Sequence, residues 1–257
     1  MSDDRVMPGF PVVHAVTDSS VVAHEDFYVR AEAVMRAMGP RGAIHLRSSR
    51  ITSRRFYDVA LTLSRLQAQT GCWLIVNDRV DIAAAVGARG VQLASHSLSI
   101  AEARTTAPDL PVGASVHSVE EAVEAEAAGA SWCVAGTVFE TPSHVGRAPA
   151  RVEFIERVAA AVTIPVIAIG GILPDDVEAL RAAGAHGVAT IRGAGWDHAV
   201  EASGESRNLH ETRLFRTVEA AFPEPVTRYI SAYDSESGSG RDDNADGQRR
   251  SQGAGAE

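Results

Sequence analysis

Pro165–Gly193 reads PVIAIGGILPDDVEALRAAGAHGVATIRG. Its first apolar run, Val166–Ile169, has the length and character of a buried strand and ends at Gly170-Gly171. From Pro174 the apolar residues recur at helical spacing. Proline suits the first turn of a helix, and Gly184 falls where that helix should stop. Val188–Ile191 is a second apolar run, closed by Arg192-Gly193. Two consecutive strands ending in glycine-containing turns are how a (β/α)8 barrel holds a phosphate after its seventh and eighth strands. Glycine has no Cβ, so backbone N–H groups can come close to an anion there. The stretch predicts a barrel that binds a small phosphorylated molecule through Gly170, Gly171, Ile191, Arg192 and Gly193.

The same alternation extends upstream. Strands are expected at Val12–Thr17, Ala43–Leu46, Trp73–Asn77, Gly90–Leu93, Val112–Val116 and Trp132–Val138, all apolar and often β-branched, as parallel strands covered on both faces are. Helical patterns follow at residues 25–38, 52–69, 80–86, 99–107, 118–128, 151–162, 174–183 and 208–221. Ser118-Val-Glu-Glu121 is a capping box. Eight strand–helix units in about 220 residues match a single (β/α)8 barrel in count and size. A doubly wound open sheet would use fewer strands and a first-turn GxGxxG, which is missing. The expected domain is residues 1–230. Residues 231–257 are rich in Ser, Gly, Asp and Arg and hold too little apolar material to offset chain entropy, which predicts a disordered tail.

The 257 residues carry a net charge of −9, which argues against nucleic acid as a partner. No apolar run approaches the roughly 20 residues of a membrane span. The N-terminus lacks the regions of a signal peptide, so a cytoplasmic location is expected. Cys72 and Cys133 lie in apolar strand patterns, as reduced structural thiols do. All 24 basic residues are arginine. Schiff-base chemistry, which needs a lysine amine, is excluded.

In such a barrel the chemistry stands at the C-terminal ends of the strands. His45 and Arg47 are two apart and share a face of strand two, where an inward arginine calls for an anionic partner. Asn77 at the end of strand three suits an amide or aminopyrimidine edge. Asp78 either caps the next helix or binds Mg2+, and no second acid stands at a strand end near it. Strand five offers Ser115 and His117. Strand six offers Thr137 and Glu140, followed by Thr141, Ser143 and His144. His45, His117 and His144 are the candidate proton carriers. Thr141 and Ser143 are hydroxyl donors placed to meet a phosphate or carboxylate. No zinc spacing, Ser-His-Asp order or P-loop is present.

These motifs in this order (HAVTDSS, AIHLRSSR, LIVNDRVDIAAAVGARGVQL, VGASVHSVEEAVEAEAAGA, VAGTVFETPSH, IPVIAIGGI and GAHGVATI) resemble the thiamine phosphate synthase and TenI superfamily of barrels from about Val13 to Gly193. The resemblance implies a thiamine-pathway enzyme acting on a thiazole phosphate. The TenI-like branch is the expected one, with HAVTD, IHLR, SVHSVEEAVEAE and VFET as its signs. That branch implies a tautomerase that aromatises a carboxythiazole phosphate by moving a proton, without a cofactor. The synthase branch couples a pyrimidine diphosphate to thiazole phosphate with Mg2+ and is the alternative. A non-catalytic binder of thiazole or thiamine phosphate is a third reading. The synthase motif Gln-x-Arg-x-Lys reads His45-x-Arg47-x-Ser49 here. Asp78 matches the first Mg2+ ligand, the second falls on Ser97, and Thr-x-Thr-Lys reads Thr141-x-Ser143-His144. Thr137 stands where TenI tautomerases carry a catalytic histidine. Relatives in the superfamily often self-associate, which makes a homo-oligomer an expectation.

Overall fold

The computed structural model describes residues 9–94, 96–140, 151–196 and 224–234. Eight parallel strands close into a barrel in chain order. They are β1 (Val13–Val16), β2 (Gly42–Leu46), β3 (Trp73–Asn77), β4 (Gly90–Leu93), β5 (Val112–Val116), β6 (Trp132–Gly136), β7 (Val166–Ile169) and β8 (Gly187–Thr190). The pairing of β8 with β1, Val13 opposite Val188, shuts the cylinder. Each expected strand is present, with ends moved by one or two residues. Strand six stops at Gly136 rather than Val138.

Around the barrel run α1 (Ser19–Ala23), α2 (Phe27–Met38), α3 (Ser53–Thr70), α4 (Val80–Val86), α5 (Ile100–Thr106), α6 (Val119–Ala127), α7 (Val152–Ala161), α8 (Val177–Ala182) and α9 (Glu224–Asp234). The expected helix over 208–221 lies outside the described residues. The helix that packs beside α8 and α2, and so closes the outer ring, is α9. It continues through residues 231–234, which composition had assigned to the tail. Val226, Tyr229 and Tyr233 are buried at helical spacing, and that apolar stripe holds the segment on the barrel.

The core has two layers. The outer one lies between sheet and helices. The inner one fills the barrel with Phe10, Val16, Ile75, Trp132, Val134 and Ile167 among others. Trp132 spans the floor because two neighbours are glycine. A Cβ on Gly90 would come within 2.6 Å of the indole and one on Gly113 within 2.2 Å. Cys72 and Cys133 are free and buried. Burial pushes the Cys133 thiol up to about 12, so it is an inert packing group at neutral pH. No helix among the described residues is long and apolar enough to cross a membrane.

Candidate functional site

Strand parity builds the site. Residues two apart face the same way, so β1 turns His14 and Val16 inward, β2 turns Ala43 and His45, and β3 turns Ile75 and Asn77. The inward side chains nearest the C-terminal ends line a cavity of about 470 Å³. It gathers His45, Arg47, Asn77, Ser115, His117 and Thr137 on the β2–β6 side. Gly170, Gly171, Ile191, Arg192 and Gly193 close the β7–β8 side. Thr141, Ser143 and His144 lie outside the described residues. Gln92, Glu140 and Thr190 also line the cavity. Gln92 and Glu140 stand at strand ends the sequence already marked, whereas Thr190 was signalled only by its inward parity on β8.

The glycine turn has a sharper reason than access for an anion. Gly170 and Gly171 have φ of 109° and 66°, where side chains are strained. A Cβ on Gly170 would sit 2.3 Å from Thr137 Cγ2, and one on Gly171 2.5 Å from the Glu140 carbonyl. The glycines let the strand-six segment lie against the turn after β7. Gly193 is spoken for differently. Its N–H donates to Thr190 Oγ1 at 3.0 Å, and its missing Cβ makes room for the Tyr229 hydroxyl of α9.

Arg47 and Arg192 extend from opposite sides of the mouth, and both are exposed. Neither is in an ion pair with a described carboxylate. Arg47 lies near enough to Asp18 to help hold that carboxyl below its ordinary range, but two guanidiniums without a direct ion pair at one cavity suit an anionic ligand.

The three candidate histidines part company. His45 is buried, with Nε2 at 2.8 Å from His14 Nδ1, and His14 Nε2 is 3.1 Å from the Pro11 carbonyl. Burial pushes the His45 imidazole down to about 3. Burial, then the proximity of His45, pulls His14 well below the ordinary histidine range. Both rings are neutral at pH 7. A base as weak as His45 gives little driving force for proton abstraction at that pH, so the structure argues against it as a proton carrier. His117 is exposed at the rim. Its Nδ1 lies 2.6 Å from the Gly136 carbonyl. A carbonyl only accepts, so Nδ1 carries the proton and a neutral His117 keeps its lone pair on Nε2. Third among them, His144 lies outside the described residues.

Asp78 does not cap α4. The N-cap position belongs to Arg79, with no side-chain cap bond. Asp78 sits at φ 63° and turns its carboxylate to the Ala94 N–H at 3.2 Å and to the Ser97 hydroxyl. The residue at the place of the second synthase Mg2+ ligand is thus bonded to the first. Among the described residues no three His, Cys, Asp or Glu side chains gather as a metal site. One carboxylate engaged by a serine is a poor fit to a hard divalent cation such as Mg2+.

The chain's relatives agree with this architecture. The profile described as "Thiamine monophosphate synthase" matches residues 13–194. The thiamine-phosphate synthase of Caldanaerobacter subterraneus subsp. tengcongensis is 36% identical over 207 residues, 79% of this chain and 95% of that protein. The Pyrococcus abyssi thiamine-phosphate synthase is 40% identical over 153 residues, 60% of this chain and 74% of that one. Among solved structures, the thiamine phosphate pyrophosphorylase of Pyrococcus furiosus superposes with a TM-score of 0.61 at 32% identity, covering 74% of this chain and 88% of the other. The named relatives carry the synthase description, and the tautomerase branch gains no separate support from them. With the profile spanning the barrel from β1 to the turn after β8, the chain belongs to the thiamine monophosphate synthase family.

Proposed function

We propose that the chain is a thiamine-phosphate synthase, a transferase that joins an aminopyrimidine diphosphate to a thiazole phosphate with loss of pyrophosphate. This reverses the order of the two enzyme readings drawn from the motifs. The observation that carries it is one cavity with a cationic group at each end, Arg47 beside β2 and Arg192 beside the β7–β8 turns. The named relatives point the same way. Two phosphorylated substrates need two anion ends within reach of each other, and bringing the reacting atoms together is a large part of such catalysis. The thiazole phosphate would lie against Gly170, Gly171 and Arg192, and the diphosphate would meet Arg47. The chain has no lysine, so guanidinium groups and main-chain N–H groups carry the leaving group's charge.

The test is pyrophosphate release from the two substrates with and without Mg2+. Release that requires both substrates supports the reading, and its absence at saturating substrate and Mg2+ overturns it. Arg47→Gln should lower the rate about 100-fold, the order expected for one preorganised charge-stabilising donor. One observation favours a second reading, the thiazole tautomerase: His117 presents Nε2 to the cavity next to strand six, where that branch carries its base. Its sign is a metal-free change in thiazole absorbance that His117→Ala removes. Tight binding of thiazole phosphate with neither reaction would identify the non-catalytic binder. No nucleic acid or membrane is invoked, and self-association is read from sedimentation of the purified chain.

A further inference from the structure

Helix α9 reaches the barrel mouth with one side chain. Val226, Tyr229 and Tyr233 are its buried stripe, and a tyrosine buried this deeply needs a partner for its hydroxyl. Tyr229 finds one in the turn after β7, where Oη donates to the Ile172 carbonyl at 2.9 Å. A carbonyl only accepts, so the direction of that bond is fixed. The same hydroxyl meets the turn after β8. It fills the place that a Cβ on Gly193 would take, and Thr190 Oγ1 lies 2.7 Å from that point. Thr190 Oγ1 accepts from the Gly193 N–H at 3.0 Å. One oxygen atom thus stands against both turns.

Little else spans them. Strands β7 and β8 are paired as far as Ile169 and Ala189. Beyond that pair, among the described residues, no backbone hydrogen bond joins residues 170–173 to residues 191–195. The tyrosine contact also decides where a dipole points. Ile172 is buried at the cavity wall, whereas Tyr229 belongs to the layer between sheet and helices and does not line the cavity. The Ile172 carbonyl is therefore held on the helix side of its turn. Its partial negative charge is kept off the cavity, where it would oppose an anion. Other contacts hold α9 without Tyr229. Arg181 Nη1 donates to the Tyr233 carbonyl at 2.8 Å, the guanidinium lies 5.1 Å from the centre of the Tyr233 ring, and Arg41 pairs with Asp234.

We propose that Tyr229 is a positioning residue for the phosphate end of the cavity: its hydroxyl spaces the turns after β7 and β8, keeps the Ile172 carbonyl away from a bound phosphate, and so couples the docking of α9 to anion binding. The proposal rests on the reading that thiazole phosphate lies at these turns. Coupling between two sites is reciprocal, so a phosphate bound there also holds α9 more firmly.

The first test compares, by calorimetry, binding of thiazole phosphate and of the same thiazole without its phosphate. Tyr229→Phe keeps the ring and removes only the hydroxyl. It should weaken thiazole phosphate about tenfold, the order expected when a buried carbonyl loses its partner, and leave the phosphate-free thiazole nearly unchanged. Tyr233→Phe removes a hydroxyl of the same helix that bonds to neither turn, and should leave both affinities as they are. In the synthase assay, Tyr229→Phe should raise KM for thiazole phosphate and not for the pyrimidine diphosphate. Hydrogen exchange gives the reciprocal measurement. Saturating thiazole phosphate should slow exchange of the α9 amides in the unaltered chain, and Tyr229→Phe should lose most of that slowing. Unchanged affinity in Tyr229→Phe, an equal loss for both thiazoles, the same loss in Tyr233→Phe, or α9 amides indifferent to the ligand overturns the proposal. Equal binding of the two thiazoles by the unaltered chain overturns it together with the placement of the phosphate. The expected losses, with no pyrophosphate release from any form, would sink the synthase reading and leave Tyr229 in this role.

Discussion

At the scale of single residues, buried neutral histidines and crowded glycines decide most. His14 and His45 have imidazoles of lowered basicity in the folded chain, while the unfolded chain titrates them near 6.5. Below that pH the unfolded state binds protons that the folded state refuses. Stability therefore rises with pH through the window above the folded values, and falls as pH drops below about 6.5. Each histidine contributes on the order of 1 kcal/mol per pH unit there. Denaturant titrations from pH 7 to 5 should show this slope, and it should flatten in His14→Gln/His45→Gln; an unchanged slope would mean the pair is not kept neutral by folding. Gly170→Ala brings both a disfavoured φ and a clash with Thr137 that includes backbone, since Thr137 Cα is 2.9 Å away. A loss of about 2–4 kcal/mol is expected. Gly87 has φ 69° and open space around the added carbon. Gly87→Ala should cost only about 1 kcal/mol, and equal losses for the two would show that the clash does not matter.

Elements were legible in the sequence where one pattern governed them. The parallel strands are covered on both faces, so each appears as a mostly apolar run and lies within two residues of its expected bounds. The helix α9 was not. Val226, Tyr229, Ile230 and Tyr233 have helical spacing, but the serines and acids around them lowered the local apolar content, and composition hid the stripe. Inward parity pointed to His45, Asn77 and Ser115. It could not give their hydrogen bonds, which depend on the register of β1 against β2 and of β4 against β5. Nor could it separate a buried histidine from one at the rim. The two tyrosines of α9 make opposite predictions. Tyr229 donates from its hydroxyl to the Ile172 carbonyl at 2.9 Å and so ties α9 to the turn after β7. Tyr229→Phe should cost about 1 kcal/mol. It should also weaken binding of thiazole phosphate. The Tyr233 hydroxyl is buried without a partner among the described residues. Tyr233→Phe should be neutral or stabilising by up to about 1 kcal/mol, because an unpaired polar group is removed. Thermal unfolding of both variants checks the pair, and a larger loss for Tyr233→Phe than for Tyr229→Phe would contradict the assignment of α9's contacts.

For the whole molecule, the closed barrel makes ligand binding a global event. All eight strands place a residue in the cavity wall from within the strand itself, from Val16 of β1 to Thr190 of β8. A ligand there braces the cylinder around its circumference and cannot be held once any neighbouring pair of strands parts. Binding to the folded state alone should therefore stabilise by about 2.7 kcal/mol when the ligand is at 100 times its dissociation constant. For a domain of this size that is a rise in melting temperature of about 5–10 °C. Thiazole phosphate should give this shift in calorimetry as one cooperative transition, and the same thiazole without its phosphate should give much less at equal concentration. Arg192→Gln should reduce the phosphate-dependent part while leaving the melting temperature of the free chain nearly unchanged, since Arg192 is exposed and makes no ion pair with a described carboxylate. If phosphate made no difference to the shift, the β7–β8 turns would not be the anion end of the cavity, and the placement of both substrates would have to be reversed or abandoned.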